Sequence, residues 1–113
     1  MNKNKTKNKT KKKRIKKELV FNKIKSHIFP QGKYKIYWEK PDGSWDGECS
    51  DPNDRKIYVN PNVGEERFLK ILLDEGMHAC MFQLDNNFVF DVSDSLSSFL
   101  WNIGFRLKKE DGK

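Results

Sequence analysis

The 113 residues leave room for one small domain, and their formal charge of +7 is unevenly placed. Residues 1–17 (MNKNKTKNKTKKKRIKK) hold ten of the 23 lysines and arginines and no acid, so the other thirteen bases face all 16 acids and the rest of the chain carries −3. Two cysteines exclude a disulfide framework, no apolar run is long enough to cross a bilayer, and a mildly acidic body without a recognised binding motif argues against an ordinary nucleic-acid-binding domain.

The lysines at the start alternate with Asn and Thr and then run almost unbroken. Such a composition cannot repay the entropy of ordering, so residues 1–17 are expected to be a disordered tail. Its plain role is a solvated tail; its sharper one is non-specific, salt-sensitive contact with nucleic acid. No aromatic residue interleaves with these lysines to stack on bases. Lys23, Lys25 and His27 interrupt the segment that would have to be a signal-peptide h-region, so a cytoplasmic protein with free thiols at Cys49 and Cys80 is expected, with no membrane partner. One folded domain is expected over residues 18–106, with 107–113 a flexible end.

Apolar residues at 15, 19, 20, 24 and 28 have a loose helical period, which predicts a helix over residues 15–29, ended by Pro30. β character follows. Residues 34–38 (YKIYW) alternate, Pro41, Asp42 and Gly43 signal a turn, and residues 45–49 form a short return strand. A second turn at residues 51–54 (DPND) leads to Lys56–Val59, the clearest strand, which Asn60, Pro61 and Asn62 stop. This order predicts a small antiparallel sheet.

Two helices complete an α+β domain. The first is predicted over residues 64–82, with Glu65 and Glu66 at the positive end of its dipole and Phe68, Ile71, Leu72, Met77 and Met81 as a buried stripe. The second starts near Asp85, Asn86 and Asn87, any of which could cap it. Its spacing predicts Phe88, Val92, Leu96, Phe99, Leu100 and Ile103 facing inward, and Gly104 is a natural stop.

Chemistry concentrates in residues 74–78, which read D-E-G-M-H. A zinc-peptidase helix reads H-E-x-x-H, with two ligands one turn apart and a glutamate beside the first to polarise the metal-bound water. Here the spacing is kept: Asp74 and His78 can converge on one ion, Glu75 stands where the general base belongs, and aspartate replaces the first imidazole. Three such residues are also common on a solvated helix face.

The surrounding text extends the match. Residues 71–80 (ILLDEGMHAC) followed by residues 99–106 (FLWNIGFR) resemble small zincin-like proteins of bacteriophages, which read approximately L-x-H-E-x-x-H-A, a short acidic turn, and a helix ending L-W-R-L-G-Y-R. The strand Lys56–Val59 and its Asn-Pro stop fit the same pattern. The resemblance covers about residues 33–106, its specific part residues 71–106. It implies a minimal zincin fold: a small antiparallel sheet on a metal-site helix, with a second helix donating a third ligand. The gluzincin pattern E-x-x-x-D on that helix carries over to Asp91 as the ligand, with Ser95 as its support, and Asp94 is the rival.

A zinc-dependent metallopeptidase acting on a peptide or protein in the host cytoplasm is what the resemblance implies, with Glu75 activating water and Lys56–Val59 aligning the substrate strand. The alternative is a catalytically inactive zincin-derived interaction protein whose basic tail contacts nucleic acid or an acidic partner. Asp74, His78 and Asp91 together would bring the charge of a zinc site to zero, and their oxygens admit manganese or iron(II) beside zinc. Other residues take plainer roles. His27 reads as a surface histidine, Cys80 as a buried small hydrophobe, Cys49 as a free thiol among turn residues, Trp101 as core, and Gly43 and Gly47 as turn glycines.

Overall fold

A computed structural model describes residues 19–108 of the chain. The predicted tail of residues 1–17 and the last five residues lie outside them. Four strands, β1 (Ser26–Phe29), β2 (Gly32–Tyr37), β3 (Gly47–Cys49) and β4 (Lys56–Val59), precede two helices, α1 (Glu65–Cys80) and α2 (Asn86–Asn102). The class is α+β, as the pattern predicts.

The sheet has the order β1-β2-β4-β3 and is mixed, not antiparallel. β1 and β2 form a hairpin whose turn returns through Gly32 at φ +131°, a conformation open to glycine. β4 then inserts between β2 and β3, parallel to the first and antiparallel to the second. Burial explains the insertion: Ile57 and Val59 are the most apolar strand residues to be enclosed, and an inner strand encloses them best. β3 is left on the edge. β4, which the sequence nominates to receive a substrate strand, has both of its edges paired.

No helix forms over the described part of residues 15–29. Residues 19–24 carry no regular helix or strand, and β1 follows. The helical stripe there is not a buried face, since Ile28 is 75% exposed and Val20 and Ile24 are exposed as well. Instead Leu19 and Phe21 pack on the core, Phe21 lies 4.8 Å from the rings of both Trp38 and Phe68, and Trp38 Nε1 donates to the Ile24 carbonyl. Alternate residues facing inward is a strand-like habit that a period of three or four can imitate over so short a stretch.

The core lies between the sheet and α1, joining Tyr34, Ile57 and Val59 to Phe68, Ile71 and Ala79. Glu65 and Glu66 occupy the first turn of α1, and the Leu107 N–H donates to Glu65, so chain expected to be free is packed against the core. Gln31, in the β1–β2 turn, closes the other end of α1. Its amide nitrogen donates to the His78 and Ala79 carbonyls at 3.2 and 2.9 Å, and its oxygen accepts from Phe82 N. Met81, predicted inside, falls beyond this stop and is exposed.

α2 begins as its sequence indicates, with Asp85 accepting from Phe88 N at 3.1 Å, and ends before Gly104 at φ +107°. Its orientation differs from the prediction. Val89, Ser93 and Ser97 are the buried residues, while Phe88, Leu96, Phe99 and Ile103 are exposed and Val92 and Leu100 half-buried. Small residues at i, i+4 and i+8 let α2 approach α1 closely, and that approach turns the larger apolar stripe outward. Among the described residues, no helix is long and apolar enough to cross a membrane. The turned helix has a measurable consequence. Phe99→Ala should cost less than about 1 kcal/mol in urea unfolding, and Ser97→Leu about 1–3 kcal/mol through overpacking. The reverse order would mean that α2 buries its large stripe.

Candidate metal centre

Helical spacing puts Asp74 and His78 one turn apart on α1, and in the structure the pair meets: His78 Nδ1 stands 3.5 Å from Asp74 Oδ1. Glu75 joins them, with one donor atom of each of the three lying within 4.8 Å of the others. They line a groove of about 600 Å³ that α1 shares with the edge strand β3 and the start of α2.

Gly47 on β3 makes the groove possible. A Cβ there would lie 2.6 Å from Ile71 Cγ2 and 2.8 Å from Glu75 Oε2. Helix and strand are therefore in contact through a position that tolerates no side chain, which is a strand role and not the turn role predicted for it. The contact buries Glu75. Loss of water, followed by the Asp74 and Glu48 carboxylates, pushes Glu75 up to about 8. Among the described residues, no hydrogen-bond donor or cation reaches its carboxylate.

Cys49, half-buried in β3 and not in a turn, lines the same groove. Burial, then Glu75 and Glu48, push its thiol up to about 12. It is a neutral thiol at physiological pH and a poor nucleophile. Cys80 is exposed, because α1 ends at it and leaves it outside the core.

α2 supplies neither of the carboxylates expected from it. Ser93 faces α1, its Oγ 3.4 Å from Asp74 Oδ2 and 3.1 Å from the Phe90 carbonyl. Two residues along a helix turn through about 200°, so Asp91 lies on the far face, exposed and outside the cluster. Ser95 is exposed too, and Asp94 is exposed and reaches toward Lys70 at 4.0 Å. The α2 residues that do line the groove are Asn86, Asn87 and Phe90. Asn86 Oδ1 lies 3.0 Å from His78 Nε2; with that oxygen accepting, Nε2 carries a hydrogen and Nδ1 is the ring nitrogen turned toward Asp74.

A ring nitrogen and a carboxylate oxygen 3.5 Å apart can share either a proton or a metal ion. Two donors about 2.1 Å from one tetrahedral ion stand about 3.4 Å apart, so the Asp74–His78 spacing fits a metal. Glu75, a half-buried carboxylate that no donor reaches among the described residues, fits one as well. At the far end of the groove Asp46 accepts from Asn60 and Arg67 at 3.0 and 3.1 Å, and these bonds hold it below the usual carboxylate range. Gly47, Asn86 and Ser93 were not legible as site residues. Only a glycine just before a strand core hinted at close backbone approach.

Comparison with models of protein families, with curated proteins and with solved structures finds no match for this chain.

Two outcomes follow from this geometry. Gly47→Ala should destabilise the fold by about 1–3 kcal/mol, measured by urea unfolding, because Ile71 and Glu75 must both move. Glu75 has a folded value of about 8 against an ordinary 4.5, so its favourable contribution is complete below pH 4.5 and is lost as pH rises through 8. In chelator-treated protein, Glu75→Gln should therefore unfold at the same temperature as wild type near pH 4.5 and be more stable above pH 8, by ~2 kcal/mol or more. A constant gap across that range would mean that Glu75 is not held protonated.

Proposed function

We propose that the chain is a divalent-metal-dependent hydrolase of the zincin type, acting on a peptide that lies along the free edge of β3. The meeting of Asp74, Glu75 and His78 in a groove walled by an edge strand is the observation that carries this reading. Asp74 and His78 would hold the ion, zinc foremost, with manganese or iron(II) admitted by the oxygen ligand. Such an ion supplies Lewis acidity to a scissile carbonyl and lowers the pKa of water.

The chain's own residues do the rest. Glu75, whose proton affinity lies near neutrality, takes a proton from the attacking water and returns it to the leaving amine. Among the described residues no strand pairs with the outer edge of β3, so an extended peptide can add to the sheet there as a fifth strand. Trp45, 72% exposed and lining the groove just before β3, gives such a peptide an apolar platform. Asn86 fixes the imidazole of His78 in the orientation that turns Nδ1 toward Asp74.

One observation favours a second reading. Phe90 and Asn86 stand where α2 faces the cluster, so no carboxylate from that helix completes the ligand set. A zincin-derived protein that has given up catalysis would keep the groove as a peptide-binding site and use the bases of residues 1–17 on nucleic acid or an acidic partner.

Metal analysis of protein purified without a histidine tag separates the two. The hydrolase reading expects about one equivalent of transition metal, lost in His78→Ala. Glu75→Gln should retain the metal while its kcat on peptides falls by ~10²-fold or more. Metal-free protein whose melting is indifferent to chelators would remove the enzyme.

A further inference from the structure

The groove also holds a cation that the hydrolase chemistry does not use. Lys70 lies on α1 one turn before Asp74 and lines the same groove, with a side chain only 13% exposed. Its Nζ sits 3.6 Å above the centre of the Phe90 ring. The other groups near it are poor substitutes for a counter-ion: the Phe90 carbonyl at 3.4 Å and an exposed Asp94 carboxylate at 4.0 Å. Arg67, one turn further along the helix, is different, because Asp46 takes its Nε at 3.1 Å. An ammonium drawn out of water is ordinarily paired. Here it lies on a ring face in the wall of a groove, and its carboxylate partner among the described residues is the exposed Asp94 at the long distance of 4.0 Å.

We propose that Lys70 forms an anion subsite of this groove, which selects peptides carrying a carboxylate within about two residues of the position held at Asp74, Glu75 and His78. The spacing sets that distance: one helical turn is about 5.4 Å along α1, and an extended peptide advances about 3.3 Å per residue. The carboxylate is either an Asp or Glu side chain or the C-terminus of a short peptide. Phe90 has a part in the subsite. Its ring holds the cation without cancelling its charge, while the α2 carboxylate that does reach Lys70, Asp94, is exposed and 4.0 Å away. The ring and the ammonium therefore act together. The groove is positive at its Lys70 end and carboxylate-rich at its Glu75 end, and a peptide with a negative group fits it in one direction only. The selection rests on the hydrolase reading for which bond is cut, but not for which peptide binds.

The test uses fluorescein-labelled octapeptide mixtures with one fixed central residue, Glu or Gln, each with a free or amidated C-terminus. Anisotropy on the full chain carrying Glu75→Gln gives binding, and mass spectrometry with the wild-type chain gives cleavage. The Glu mixtures should bind at least ~10-fold more tightly than the Gln mixtures, or the free C-termini more tightly than the amides, and whichever contrast appears identifies the source of the carboxylate. Lys70→Met should bring the contrast to within about twofold, and Lys70→Glu should turn it into a preference for a fixed Lys over Gln. Equal binding of all four mixtures overturns the subsite, and so does a contrast that survives Lys70→Met. The first comparison needs no Lys70 variant, so it stands even if those variants fail to fold. Selective binding without cleavage supports the subsite and removes the hydrolase, whereas cleavage without charge preference does the opposite.

Discussion

The contact between α1 and β3 at Gly47 governs the rest of the structure. Helices usually stand off a sheet by the thickness of two layers of side chains, but here one partner has no side chain at the point of contact. Ile71 fills part of the space and Glu75 the remainder, so a carboxylate is drawn half out of water against the strand backbone. From that placement follow its loss of water, its high proton affinity and its effect on the neighbouring Cys49 thiol. An ionised carboxylate in such a place is costly unless it holds a proton or meets a cation. Asp74, beside it in sequence, adds like-charge repulsion, and together they make the groove a place where positive charge is stabilising.

A second close approach complements the first. α2 meets α1 through Val89, Ser93 and Ser97, and the serines do two jobs there. Their size brings the helices together, and the hydroxyl of Ser93 reaches Asp74. Turning α2 this way decides what it can contribute, since Asn86 and Phe90 come to the groove while Asp91 goes to solvent. It also leaves Phe88, Leu96, Phe99 and Ile103 uncovered. Burying four large side chains would have favoured the opposite rotation, so the serine interface prevails through packing density and the polar contact with α1.

These two contacts mark the limit of what the sequence reveals. Strand β4, both helices, the Asp85 cap and the Gly104 stop are local features, written in periodicity and turn chemistry, and each is found where the residues indicate. The juxtaposition of Asp74, Glu75 and His78 is local too, because all three sit within one helical turn. Non-local choices were not legible. Nothing in residues 45–59 says that β4 pairs in parallel with β2 while β3 takes the edge. The stripe on α2 is a sound amphipathic pattern, yet periodicity registers size and polarity and cannot weigh a serine face that fits α1 more closely. Asp91 is carried over from a spacing pattern, E-x-x-x-D, and spacing along a helix does not say which face the helix turns to its neighbour.

Loss of Asp91 from the cluster alters its electrostatics in a way the sequence had inverted. A set of Asp74, His78 and Asp91 would cancel the charge of a divalent ion. Asp74 and His78 alone leave it at +1, the value that a site of two histidines and one carboxylate also leaves. Glu75 then matters for its protonation state. Protonated, it leaves the local charge positive; ionised, it brings the sum to zero, so it acts as a movable negative charge within the cluster. A nearby cation would draw its proton affinity down from about 8 into the neutral range, where a base can both accept and release a proton. The burial that makes Glu75 costly in the metal-free chain is thus what would make it responsive once positive charge arrives beside it.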